Sequence, residues 1–116
     1  MKSIPLKELV GLYRALADPT RLRLMQLILS GHEVRVGEIV AALNLPQSTV
    51  SRQLGQLRAA GLLLDRREGT TVWYSLNPNS LSETILLIDG LKAVGRLSAE
   101  FKADLRRLAR LREGAR

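Results

Sequence analysis

"LPQSTVSRQLGQLRAAGLL", residues 45–63, crowds Gln47, Ser48, Thr49, Ser51, Arg52 and Gln53 into one short run and then closes on an apolar Gly-Leu-Leu. Val50, Leu54 and Leu57 recur at spacings of four and three, so the stretch reads as a helix over residues 47–60 with one apolar face. Thr49, Arg52, Gln53 and Gln56 then point outward, with Gln47, Ser48 and Ser51 near the N-terminal end, and Gly61 suits the stop. Donors and acceptors this dense face either water or a partner with edges to read.

Asn44 stands just upstream, where the chain must turn sharply, and Asn tolerates the left-handed conformation. A helix over roughly residues 38–43 precedes it. A short helix, a tight turn and a second helix with a polar outer face form the helix-turn-helix pattern, here over residues 38–60. Behind it, "LLLDR" and "TVWYSL" are strand-like runs about the turn "REGT" and predict a hairpin over residues 62–77. A basic hairpin in that place reads as a wing.

This chemistry fits double-stranded DNA. A helix enters the major groove, where Arg pairs bidentately with guanine and Gln with adenine. Ser, Thr and backbone N–H groups at a helix N-terminus suit phosphate oxygens. Gln47, Ser48, Thr49, Ser51, Arg52 and Gln53 are therefore the candidate reading and positioning residues. Arg66 and Arg67 are the candidate wing anchors.

The flanks predict further helices. Residues 5–17 place Leu6, Leu9, Val10, Tyr13 and Leu16 on one face. Asp18-Pro19 ends that helix and supplies the N-cap and first residue of the next, "TRLRLMQLILS", with Gly31 as its expected C-cap. "HEVRV" suits a brief strand. After Pro78, Ser80-Leu81-Ser82-Glu83 has capping-box spacing and opens one long helix over residues 80–112. Leu87, Leu91, Val94, Ser98, Phe101, Leu105 and Leu108 form a seam along it at spacings of four and three. A helix of about 50 Å at 1.5 Å per residue exceeds what so small a domain covers. The seam, with that of Leu6, Leu9, Val10 and Tyr13, calls for a second copy of the chain. A two-fold dimer sets two recognition helices about 34–36 Å apart, one turn of DNA, and matches a pseudo-palindromic operator.

The fold class expected is thus mainly α with a small β-hairpin wing: one winged helix-turn-helix domain with a long C-terminal dimerisation helix. The length of 116 residues agrees with a single domain. Net charge is +7 and the isoelectric point near 10.8, which favours an anionic partner, nucleic acid before membrane surface. The basic excess is greatest over residues 92–116, with eight basic and three acidic side chains. No run of about 18 apolar residues spans a membrane, and "MKSIPLKELV" lacks an apolar signal core, so the expected compartment is the cytoplasm. Without cysteine, disulfides and thiolate chemistry are excluded, and His32, the one histidine, cannot build a transition-metal site alone. No cofactor and no metal site are expected. Glu100 and Asp104 are more simply paired with Lys102, Arg106 or Arg107, or solvated, than a cation site. No nucleophile motif and no phosphate-cradling glycine loop point to an enzyme.

"LADPTRLRLMQLILSG", "LPQSTVSRQLGQLRAAGLL" and "DRREGTTVWYSL", in this order over residues 9–77, resemble the signature stretches of the ArsR (ArsR/SmtB-type) family of bacterial transcriptional repressors. The resemblance implies a cytoplasmic winged-helix homodimer that binds an operator and releases it on a signal, with the recognition helix at residues 47–60 and the wing at residues 65–74. This chain departs from the metal-sensing pattern. The two cysteines of the family's "ELCVCDL" stretch fall at Arg35 and Gly37, and the last helix holds no His. Gln53 replaces the usual His after the recognition-helix Arg, and Thr70 replaces the basic residue at the wing tip, where it remains a candidate DNA contact. Soft metals are therefore not expected to act. The signal stays open: a small organic ligand in the apolar seam with Ser98 as its polar handle, a controlling partner protein, or none. The rival expectation is an architectural protein whose winged helix binds nucleic acid without sequence preference, or binds another protein.

Overall fold

The computed structural model describes residues 4–78 and 82–114. The chain runs α1 (Leu6–Leu16), α2 (Pro19–Gly31), β1 (Glu33–Arg35), α3 (Val36–Leu43), α4 (Gln47–Ala59), β2 (Leu63–Glu68), β3 (Thr71–Leu76), α5 (Ser82–Gly95) and α6 (Ala99–Gly114). The arrangement is a winged helix-turn-helix. Asp18 caps α2 by accepting from the Arg21 backbone N–H at 3.0 Å, with Pro19 at the first helical position. Asn44 takes φ 55°, ψ 48° and turns the chain from α3 towards α4. The capping box expected at Ser80, Leu81, Ser82 and Glu83 rests on residues and side chains outside those described.

β1, β2 and β3 form one antiparallel sheet in the order β1-β3-β2. Val34 lies opposite Tyr74, which lies opposite Asp65. The strands of the hairpin run further than "REGT" suggested. β2 continues through Glu68, and only Gly69 and Thr70 make the turn, with Gly69 at φ 63°, the positive value that tight hairpin turns require. The core beneath is aliphatic: Leu24, Met25, Leu27, Ile28, Ile39, Leu54, Leu57 and Leu62 are fully buried. Val50, Leu54 and Leu57 join it from α4, as their spacing requires.

Two expectations are corrected. Gly31 is not the C-cap of α2 but its last residue; His32 caps it at φ 67°. Gly31 is small because a Cβ there would fall 2.8 Å from Val34 Cγ2 and 3.1 Å from Leu108 Cδ2.

The single helix over residues 80–112 is two helices. Gly95 ends α5 so close to the side chain of Gln26 in α2 that a Cβ would sit 2.1 Å from Nε2. The backbone N–H groups of Leu97 and Ser98 then bond the carbonyls of Val94 and Gly95, tightening the last turn, and the Ser98 carbonyl accepts from Lys102 as α6 begins. The break redirects the apolar seam. Leu108 is buried in the chain's own core, and Leu87, Leu91 and Leu105 pack against that core. Leu108 is thereby taken out of a continuous dimer seam, because α6 lies across α2 and α3 rather than extending α5, while Leu87, Leu91 and Leu105 stay half-buried.

Charged side chains fasten α6. Asp104, 2% exposed, bonds Arg23 Nε at 2.9 Å and Arg107 Nη2 at 2.6 Å. These two arginines also donate to the end of α3, Arg23 to the Leu43 carbonyl at 3.0 Å and Arg107 to the Ala42 carbonyl. Arg112 bonds Glu38 at 2.9 Å, the Gly31 carbonyl at 2.9 Å and the Glu33 carbonyl at 2.6 Å. Otherwise unmatched helix-end carbonyls thereby acquire donors.

Candidate nucleic-acid interface

α4 presents its polar face because its apolar face is committed to the core. Gln47, Ser48, Ser51, Arg52 and Gln56 are exposed, and Thr49 is half-buried. The N-cap is Pro46, which offers no side-chain acceptor, so the first N–H groups of α4 are left for solvent or an anion. The Arg52 side chain has no ion pair among the described residues and is free to engage a base edge or a phosphate.

Gln53 is placed differently from the others. Its Oε1 accepts from Arg21 Nη1 at 2.8 Å. The Arg21 guanidinium also donates to the Ala15 carbonyl at 2.6 Å and the Arg14 carbonyl at 3.1 Å. Arg21 thus joins the end of α1, the start of α2 and the middle of α4. Sequence reading did not single out this residue. Asp18-Pro19 signals where its backbone lies, but nothing local signals a side-chain partner 32 positions away.

Arg66 and Arg67 also part company. Arg66 holds Glu33 of β1 through two hydrogen bonds of 3.0 and 2.8 Å and Glu68 through one of 2.6 Å, and lies 5.9 Å from the centre of the Trp73 ring. Arg66 also holds the Glu33 carboxyl below its usual range. Two carboxylates thus compensate its charge, and it staples the wing to β1 across the sheet. Arg67 and Thr70 are exposed, Arg67 without an ion pair among the described residues. At the wing base, Arg58 of α4 pairs with Asp65 of β2 at 3.0 Å, fixing hairpin and recognition helix together. Trp73 and Tyr74 are both half-buried. Tyr74 packs on the core, and burial pushes its hydroxyl pKa up.

The remaining candidates resolve by their contacts. Ser98 caps α6, accepting from the Phe101 N–H at 3.5 Å and donating to Glu100 at 3.0 Å, so its hydroxyl is already engaged. Asp104 pairs with Arg107, one of the neighbours expected of it, and with Arg23 of α2. Among the described residues, no group of three or more His, Asp or Glu is placed to hold a metal ion, and no helix is long and apolar enough to cross a membrane.

Five of the eight exposed large apolar side chains among the described residues lie on α1 and α5; Leu97, 84% exposed, follows α5, and Leu64 and Leu111 lie on β2 and α6. Leu6 is 74% and Tyr13 56% exposed on α1, with Val10 between them; Leu86 and Val94 are each 64% exposed on α5. Leu9 and Phe101 are half-buried.

Residues 18–63 match the family model described as bacterial regulatory protein, arsR family. Over 66 residues the chain is 50% identical to the arsenic resistance transcriptional regulator ArsR2 of Pseudomonas putida, covering 57% of each chain. Over 80 residues it is 39% identical to the arsenical resistance operon repressor of Escherichia coli, covering 69% of this chain and 68% of that one. The chain thus spans little more than half the length of some curated relatives it matches. Among solved structures, HlyU from Vibrio cholerae superposes with a TM-score of 0.67 at 35% identity, covering 76% of this chain and 91% of that one. The homodimeric winged helix-turn-helix DNA-binding domain of Mb0332 from Mycobacterium bovis gives 0.66 at 28% identity, covering 78% and 81%.

Proposed function

Because the chain belongs to the arsR family of bacterial regulatory proteins, we propose that it is a sequence-specific repressor that binds double-stranded operator DNA as a homodimer in the cytoplasm. The observation that carries this is the outer face of α4: Gln47, Ser48, Ser51 and Arg52 exposed together, next to an uncapped helix N-terminus and on a helix whose other face is locked into the core. Arg52 reads a base edge. Gln47, Ser48, Thr49 and Ser51 read or position at the helix N-terminus, and Arg67 with Thr70 meets the backbone from the wing. Gln53 and Arg66 hold the reading surface in shape. No catalytic step belongs to this function.

The dimer forms through α1 and α5, by Leu6, Val10, Tyr13, Leu86 and Val94, the large apolar side chains these helices leave exposed. Leu9 and Phe101 lie half-buried at its margin. With no cysteine and one histidine, soft-metal sensing is excluded from this reading. The direct test measures affinity for the DNA upstream of the protein's own gene against a scrambled duplex at one salt concentration. A repressor prefers its operator by about 10³ or more. Equal affinity for both duplexes would identify an architectural binder instead.

A further inference from the structure

Lys92, Arg96 and Lys102 converge on a cleft of about 370 Å³ between the C-terminal ends of α2 and α5 and the start of α6. Gln26, Leu29 and Leu105 also line it, and no acidic side chain does. The three basic side chains make no ion pair among the described residues, whereas Arg23, Arg58, Arg66, Arg107 and Arg112 are each matched to a carboxylate. Helix ends explain only part of this. Lys92 sits in the last turn of α5, where a cation suits the carbonyl end. Lys102 lies near the N-terminus of α6, where the helix dipole opposes a cation.

Gln26 supplies an independent observation. It is 5% exposed, and its Nε2 donates to the Leu91 carbonyl. Its Oε1 has no donor among the described residues. An amide buried this deeply without its full set of partners is costly unless something else completes it. The cleft also lies away from the DNA-facing surface. The Arg21–Gln53 bond marks the N-terminal end of α2, and Gln26 and Leu29, which line the cleft, lie about 7.5 and 12 Å further along the helix axis.

We propose that this cleft binds a small organic anion, a carboxylate on an apolar body. The carboxylate meets Lys92, Arg96 and Lys102, the hydrocarbon lies on Leu29 and Leu105, and Gln26 Oε1 accepts from a ligand hydroxyl or a bound water. The volume stands at the lower end of ordinary ligand sites, about 300–1,000 Å³. An occupant touches α2, α5 and α6 together, and so favours one placement of α5, which carries half of the proposed dimer surface.

The test is an NMR titration of the isotope-labelled free protein with benzoate, with benzamide as the neutral isostere and inorganic phosphate as the compact anion. No DNA is present, so its outcome is separate from that of the repressor reading. Benzoate is expected to give saturable shifts at the Gly95 and Arg96 amides and the Gln26 side-chain amide, with a Kd of about 1 mM or tighter. Benzamide and phosphate are expected to give none. The double variant Lys92→Gln/Lys102→Gln changes exposed side chains only, keeps the remaining spectrum, and weakens benzoate at least about tenfold, the loss of some 1.4 kcal/mol. No saturable shifts with benzoate, equal shifts with benzamide or phosphate, or undiminished affinity in the double variant would each overturn the proposal.

Discussion

Arg21 Nη1 donates to Gln53 Oε1 across 2.8 Å, so the first turn of α2 and the middle of the recognition helix are held by one side-chain contact. The same guanidinium serves two carbonyls at the end of α1. Arg21→Ala is expected to destabilise the fold by about 1.5–3 kcal/mol, the range for hydrogen bonds to charged groups. Gln53→Ala is expected to cost about 0.5–1.5 kcal/mol. The two should couple by about 0.5 kcal/mol or more in a double-mutant cycle read by urea unfolding, because they share the contact. Strict additivity would show that the contact is not formed in solution.

Arg52 and Arg67 are expected to fail in different ways. Arg52→Ala should weaken operator binding by about 1–3 kcal/mol while leaving the scrambled duplex nearly unaffected. Arg67→Ala should weaken both duplexes alike and lower the salt slope by about 0.9, one phosphate contact. Arg66→Ala should change the salt slope less than Arg67→Ala, since Glu33 and Glu68 already balance its charge. Titrations of both duplexes at several salt concentrations decide all three. An Arg66 effect on the slope equal to that of Arg67 would show that its carboxylate pairs open on DNA.

Leu108 and Val94 separate the core from the proposed dimer face. Leu108 is 4% exposed, so Leu108→Ala should cost about 2–5 kcal/mol of stability. Val94→Asp, on a side chain 64% exposed, should leave the monomer fold intact and shift sedimentation towards monomer. A Val94→Asp protein that still sediments as a dimer would move the interface away from α5.

Glu38 carries a pH signature. Burial acts to raise its carboxyl pKa, but the Arg112 guanidinium and the Arg35 backbone N–H outweigh burial and hold it below its ordinary value. A carboxyl whose folded pKa is depressed contributes stability that is fully present above its unfolded pKa, about 4.3, and is lost as pH falls through the folded value. Urea midpoints should therefore drop more steeply in the parent chain than in Glu38→Gln below about pH 4.3. Parallel curves would mean that the Arg112 pair does not survive in solution.

Local signals in this chain are accurate where the cause is local. Asp18 caps and Asn44 turns because each acts on backbone within a few residues. Val50, Leu54 and Leu57 meet the core because their spacing matches one helix face. The C-terminal seam misled for an equally physical reason. Periodicity from Leu87 to Leu108 shows that apolar residues share a face, but not whether the helix continues or which surface the face covers. Ser98 fitted the period and serves as a cap. Among the basic residues, Arg66 and Arg67 are neighbours of one type, yet one is balanced by β1 and the other faces solvent.

The sequence by itself determined the helix-turn-helix, the hairpin behind it, the polar face of α4, the positive charge and the absence of thiolates. These follow from spacing, capping and composition, which act over a few residues or over none. Only the tertiary structure decided where the last helix breaks, which leucines belong to the core, and which cations are compensated. Gln26 meets Gly95, Arg21 meets Gln53, and Arg23 meets Asp104 across 69, 32 and 81 positions of chain. Short-range hydrogen bonding and close packing select such partners only after the backbone has brought them within a few ångströms.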